Sequence, residues 1–177
     1  MPRVLADGQT KLSILTEKPA NVGAPTAAEL NAGHDMSCAI LTSDFEFTAA
    51  ASDMRDNKTL CQRGNAQRPG ARNHNAAATI YREYLEGGGP DEEDADKGFQ
   101  AVKAQGTQVW AYGRLTDKRS SEEWAAGDEI YMGGEFLTDT PTRGALDDDI
   151  SFRVQFLPQD VYDFIEVASD GSGGGEA

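Results

Sequence analysis

The sequence predicts a mainly β protein, a β-sandwich or barrel of about eight or nine strands with one flanking α-helix. Three observations predict it. Segments of alternating apolar and polar residues recur along most of the chain, and Ile150, Phe152, Val154 and Phe156 against Ser151, Arg153 and Gln155 give the cleanest two-residue period. Nineteen glycines and seven prolines supply the many turns such a chain needs. Only one stretch, Pro90 to Gly106, carries a long helical pattern, and it runs directly into the strongest strand.

That helix is expected over about residues 91–105. Pro90 suits the first helical position, and Asp91, Glu92, Glu93 and Asp94 place negative charge at the positive end of the helix dipole. Ala95, Phe99 and Val102 form an apolar stripe, and Gly106 closes the segment. Gly98 costs about 1 kcal/mol relative to alanine, so the helix must depend on packing. From Thr107 to Leu115, Val109, Ala111, Gly113 and Leu115 lie on one face and Trp110 and Tyr112 on the other, a strand covered on both sides over part of its length.

The remaining elements follow in order. Residues 1–9 read as an N-terminal arm, 10–168 as a single domain and 169–177 as a flexible glycine-rich tail. Lys11 to Thr16 is a short strand, and Thr26 with Glu29 has capping-box spacing for a turn or two of helix. Met36 to Thr42 and Phe45 to Thr48 alternate as two strands or one bent strand; Asp53 to Asn57 signals a turn and Lys58 to Gln62 a short return strand. Arg63 to Asn75 has hardly an apolar side chain and reads as a long exposed loop, uncommon in a compact domain unless functional. Ala76 to Leu85 is a full strand. Glu129 to Leu137 is another, with Gly133-Gly134 as its bulge. Leu157 to Asp160 is expected to turn the chain into a last strand, Val161 to Val167.

Sixteen basic against 30 acidic residues give a net charge of −14, which repels a phosphate backbone and argues against tight DNA binding. No segment approaches the 18 or so apolar residues of a membrane span, and the first residues lack the apolar core of a signal peptide, so cytosolic synthesis is expected. His34, Cys38, Cys61 and His74 are a Cys₂His₂ set by composition only, because zinc sites use close pairs and these are scattered. The cysteines read as buried apolar thiols, with a Cys38–Cys61 disulfide as the alternative. Glu92-Glu93, Glu122-Glu123 and Asp147-Asp148-Asp149 lack calcium-loop spacing, and neither a phosphate loop nor a nucleophile elbow is present. No catalytic, cofactor or metal residue is therefore assigned. The polar loop, through Arg63, Asn65, Gln67, Arg68, Arg72 and Asn73, is assigned instead to a subunit contact, with acidic groups such as those near Asp147 as its counterpart.

The order and spacing of several weak features resemble the major tail tube proteins of long-tailed, siphovirus-type bacteriophages, especially those of phages of actinobacteria. They are Ala24-Pro25-Thr26-Ala27-Ala28-Glu29-Leu30 with Ala32-Gly33, Met36 to Thr42, Leu60-Cys61, Arg68-Pro69-Gly70, Ala76 to Tyr84, the helix into Gly106, Arg114 and Gly127-Asp128, over roughly residues 10 to 167. The resemblance implies a tail-tube-like fold and a structural virion protein, made in the host cytoplasm and located in the phage tail. It implies homohexameric rings stacked into a tube, the conduit for genome DNA ejection, with DNA passing the lumen without specific binding. The implied partners are further copies of the chain and the tape measure, tail terminator and distal tail proteins, with no cofactor and no membrane. The competing expectation is a monomeric β-sandwich that binds a small ligand or glycan.

Overall fold

The computed structural model describes residues 3–64 and 66–170. The chain is mainly β, with ten strands among the described residues: β1 Thr10–Leu15, β2 His34–Asp35, β3 Glu46–Ala50, β4 Met54–Asp56, β5 Gln67–Pro69, β6 Asn73–Tyr81, β7 Gln108–Leu115, β8 Glu129–Thr138, β9 Thr142–Arg143 and β10 Ser151–Glu166. Two short α-helices, α1 Ala27–Ala32 and α2 Lys97–Val102, and one 3-10 turn, Thr42–Asp44, accompany them. The main sheet runs β2-β1-β7-β8-β10-β6-β3, all antiparallel, with β9 also on β10; β4 and β5 form a separate two-stranded ribbon.

β10 is the member shared by the two halves of this sheet. Its first residues, Ser151 to Gln155, pair with β6, whereas Phe156 to Glu166 pair with β8. The sheet thereby folds over on itself. Leu12, Ile14, Val109, Ala111, Met132 and Phe136 from one half meet Phe47, Ala76, Ala78, Ile80, Val154 and Phe156 from the other. The Phe47 and Phe136 rings lie 5.6 Å apart across this core, and the Phe47 and Tyr131 rings meet edge-on at 6.1 Å. The outer face of β1, β7 and β8 carries a second core, in which Leu15, Trp110, Tyr112 and Ile130 are covered by Ala27 and Leu30 of α1, by Trp124 and by Val167. Six consecutive residues of β7 are buried, so this strand is covered on both faces as its sequence predicts. The Tyr112 hydroxyl donates to Val22 O (2.9 Å) and the Trp124 indole N–H to Ser13 Oγ (2.8 Å), whereas the buried indole nitrogen of Trp110 in the same core has no hydrogen-bond partner among the described residues. α1 carries the capping box that Thr26 and Glu29 announce, with both reciprocal bonds formed.

Several expected boundaries move. The helix expected over 91–105 is only the six residues of α2. Ala95 is exposed, so the stripe reduces to Phe99 and Val102, and the acidic run Asp91 to Asp94 has nothing apolar to pack. Asp96 turns inward instead, accepting from Arg82 Nε (2.7 Å) and Nη2 (2.8 Å) and from Gln100 Nε2 (2.6 Å). Gly98 is required by close approach, since a Cβ there would sit 2.1 Å from the sulfur of buried Met36. Met36 to Thr42 is not a strand: Met36 enters the core, and the segment touches β6 through a single bridge, Ile40 to Ile80. The return strand is β5 rather than Lys58 to Gln62. Arg63 to Asn75 is not one loop, because it contains β5 and the start of β6. Leu157 to Asp160 does not turn, since β10 is continuous there.

The irregularity expected at Gly133-Gly134 falls on the opposing strand: pairing shifts between Pro158 and Asp160, leaving Gln159 over. Gly134, at φ +154°, is what admits this bulge, because a side chain there would meet Asp160 O at 2.0 Å. Both cysteines are free and exposed, against the expectation of buried or bonded thiols. The glycine-rich tail lies outside the described residues beyond Asp170, as do Met1, Pro2 and Asn65.

Arg114 is fully buried beneath the connection from β7 to β8. Its Nη1 donates to Asp128 Oδ2 (3.0 Å) and Glu123 O (3.0 Å), and its Nη2 to Arg119 O (2.8 Å) and Glu122 O (2.9 Å). Burial alone would raise the Asp128 pKa, but bonds from Lys118, the Ala125 N–H and Arg114 outweigh it and hold the carboxyl below its ordinary value. A carboxyl with a depressed folded pKa contributes stability that is complete above its unfolded value, about 3.9, and is lost as pH falls through the folded value. Asp128→Asn should therefore lower the unfolding free energy at neutral pH by about 3–5 kcal/mol, by leaving a buried guanidinium uncompensated. The difference from the parent should shrink in acid, and denaturant unfolding that gave the same difference at both pH values would contradict this account. Gly98→Ala should destabilise by about 1–3 kcal/mol in the same assay through overpacking against Met36, although it favours the helix locally.

Candidate assembly surfaces

The polar segment singled out by the sequence folds as the far end of a long hairpin. β3 and β6 pair from Glu46–Ala77 to Ala50–Asn73, the chain crosses over at Asp53, and β4 and β5 resume from Met54–Pro69 to Asp56–Gln67. Asp53 N donates to Ala71 O (3.0 Å) and Asn57 N to Ala66 O (3.0 Å), so backbone pairing continues through the break. From Ala50 to Asp56 the ribbon extends about 20 Å at strand rise. Every residue of β4 and β5 is exposed, and a two-stranded ribbon without an apolar face is marginal in water.

The candidate contact residues are distributed along this ribbon. Arg63 is exposed near its tip, and Gln67 and Arg68 lie on β5, with Gln67 Nε2 donating to Asp56 Oδ1 at 3.3 Å. Arg72 sits between β5 and β6 with its guanidinium 3.8 Å from Asp163 of the same chain. Asn73 opens β6 and donates to Ala51 O (3.0 Å) and Asp53 Oδ1 (3.1 Å), so it braces the crossing point from within. Asn65 lies outside the described residues. The structure thus places Arg63, Gln67 and Arg68 on one projecting element and gives Arg72 and Asn73 partners at its base.

A second surface was not legible in the sequence. β8 and β9 pair one side of β10, and β6 pairs the other side only as far as Gln155. Among the described residues, the edge from Leu157 to Glu166 on that side has no strand partner. It is tethered at one point, where His74 Nε2 lies 3.1 Å from both Asp163 carboxylate oxygens. Phe164 on this edge is 73% exposed and adopts φ +53°, a left-handed conformation unusual for an aromatic residue. An unpaired edge with an outward aromatic ring is suited to pairing with another chain.

The scattered His and Cys residues do not gather: His34 is on β2, His74 on β6, Cys38 beyond β2 and Cys61 near the ribbon tip. Among the described residues no three His, Cys, Asp or Glu side chains converge as a metal site, and no described helix is long and apolar enough to cross a membrane. The tightest polar clusters, around Arg114 and around Asp96, are consumed in holding loops. What the surface offers is an unpaired strand edge and a projecting ribbon, both suited to contacts between chains.

The family model described as "Phage tail tube protein" matches residues 1–170, nearly the whole chain. No curated protein matches it. With an antiparallel β architecture, an unpaired edge and a polar ribbon already in view, the match over this length places the chain: it belongs to the phage tail tube protein family.

Proposed function

We propose that the protein is a non-catalytic structural subunit that forms homohexameric rings, and that these stack into the tail tube through which genome DNA is ejected. The family membership supports the tube role, and the unpaired edge from Leu157 to Glu166 is the observation that carries self-assembly. In this reading residues 10–168 act as one domain, with 1–9 and 169–177 as an arm and a tail. The protein meets the tape measure, terminator and distal tail proteins at the ends of the tube, and the phage is one of actinobacteria. DNA slides without specific binding because the lumen is net negative, in keeping with the charge of −14 per chain: every fixed cation on the wall would add to an affinity built from counterion release.

The purified protein should form tubes or rings with six-fold symmetry by electron microscopy, with a channel wall richer in carboxylates than in lysine and arginine. Monomer alone at high concentration, or a channel lined by basic residues, would overturn the respective parts of this reading.

The ribbon, through Arg63, Asn65, Gln67, Arg68, Arg72 and Asn73, serves as the ring-to-ring contact. Replacing residues 57–66 by a two-residue turn should leave the unfolding midpoint of the monomer nearly unchanged, because residues 57–64 are all exposed. It should shorten or abolish tubes. Tubes of normal length from this variant would remove the ribbon from stacking.

A further inference from the structure

The two ends of the β3–β6 half of the sheet are complementary in both charge and polarity. The ribbon leaves from the start of β6 and the end of β3. Between Asp53 and Arg72 it carries five basic residues against two acidic, within a chain whose overall charge is −14. Its tip presents Leu60 fully exposed, and Met54 is exposed along its side. Arg55, Lys58, Arg63 and Arg68 have no ion-pair partner among the described residues.

The opposite end of β6 is built in the reverse sense. There Arg82 N donates to Ile150 O (2.8 Å), and Tyr84 bridges to Pro90, so the segments 82–96 and 144–150 lie side by side. Residues 83–94 and 147–149 hold nine carboxylates and no lysine or arginine. Of the cations that flank these segments, Arg82 is committed to buried Asp96 and packs its guanidinium 4.2 Å from the Phe99 ring centroid, while Lys97 and Arg143 lie just outside them in the chain. Among these carboxylates Tyr84, Leu85, Leu146 and Ile150 are all exposed. A cleft of about 430 Å³ opens beside Tyr84 and Ile150, lined also by Cys38, Tyr81, Arg82, Glu83 and Asp149.

We propose that this acidic, apolar-floored end is the receiving surface for the ribbon tip of a second copy of the same chain. Leu60 enters between Tyr84, Leu85, Leu146 and Ile150, while Lys58 and Arg63 lie against the carboxylates of 83–94 and 147–149. Apolar contact at the centre supplies the burial, and the ring of opposite charge fixes the register and excludes the reverse orientation, in which like-charged ends would meet. The contact is head-to-tail and does not close on itself, so it propagates along an axis. The inference rests on the reading of the chain as a self-assembling tube subunit and names the partner surface within it.

The native thiols provide the test, because Cys61 is beside the tip residue Leu60 and Cys38 lines the receiving cleft. In tubes assembled from the purified full chain, a short bismaleimide should join Cys61 of one copy to Cys38 of the next. The product should be an open-ended ladder on a denaturing gel, lost in both Cys38→Ser and Cys61→Ser. Tubes that form normally yet give no ladder, or a product that survives either single change, would overturn the docking while leaving the tube reading in place. Failure of any assembly would overturn both. Independently, Lys58→Glu with Arg63→Glu should cut tube length at least tenfold, and adding Asp147→Lys with Asp148→Lys should restore it; a fourfold variant no longer than the double would count against the pairing.

Discussion

The membership of β10 in both halves of the sheet is the constraint on which the rest of the structure depends. A strand of 16 residues that pairs β6 with its first five and β8 with the remainder forces the two halves to face each other, and the aromatic contacts of Phe47 with Phe136 and Tyr131 exist only because they do. The bulge at Gln159 lies in the β8-paired part, shortly after that change of partner, and a bulge locally increases bend and twist. Gly134 is the complement of that bulge on β8, since any side chain would occupy the space of the Asp160 carbonyl. The same change of partners leaves the later edge of β10 open, so the feature that closes the core also creates a surface for assembly.

One buried and one partly buried guanidinium fix what the sheet does not. Arg114 gathers three backbone carbonyls of the 116–127 connection and the Asp128 carboxylate under Trp124, and Arg82 gathers Asp96 beneath Phe99 and Tyr84. In both places a long connection with little apolar content is ordered by charge-assisted hydrogen bonds rather than by its own burial. The Asp96 carboxyl, like that of Asp128, is held below its ordinary pKa: burial opposes ionisation, and the bonds from Arg82, Gln100 and the Glu83 N–H overcome it.

The sequence made the interior legible and the periphery less so. β1, β7, β8 and the capping box of α1 follow from alternation and spacing because their side chains face a core on at least one side. The helix before β7 is shorter than its pattern predicts: acidic residues at a helix start are favourable locally, but Asp96 bonds Arg82 and makes no side-chain cap. The β4–β5 ribbon has the sequence of a loop, since both its faces are exposed and no apolar period marks it. The unpaired edge of β10 had no signal at all: a Pro-Gln-Asp sequence reads as a turn, and only the register with β8 reveals a strand running through it. Both cysteines lie on polar segments outside the core, where their apolar character was a poor guide.

The ribbon touches almost nothing of its own subunit beyond its base, where Asn73 and Arg72 anchor it. Substitutions along Met54–Asp56 and Gln67–Pro69 are therefore nearly invisible to the folding equilibrium, while those in β7 or β10 are felt throughout the core. Under the proposed ribbon contact, selection can change how subunits meet without disturbing how each one folds, and a lineage could alter ribbon length or charge in small steps that leave the fold of each subunit intact.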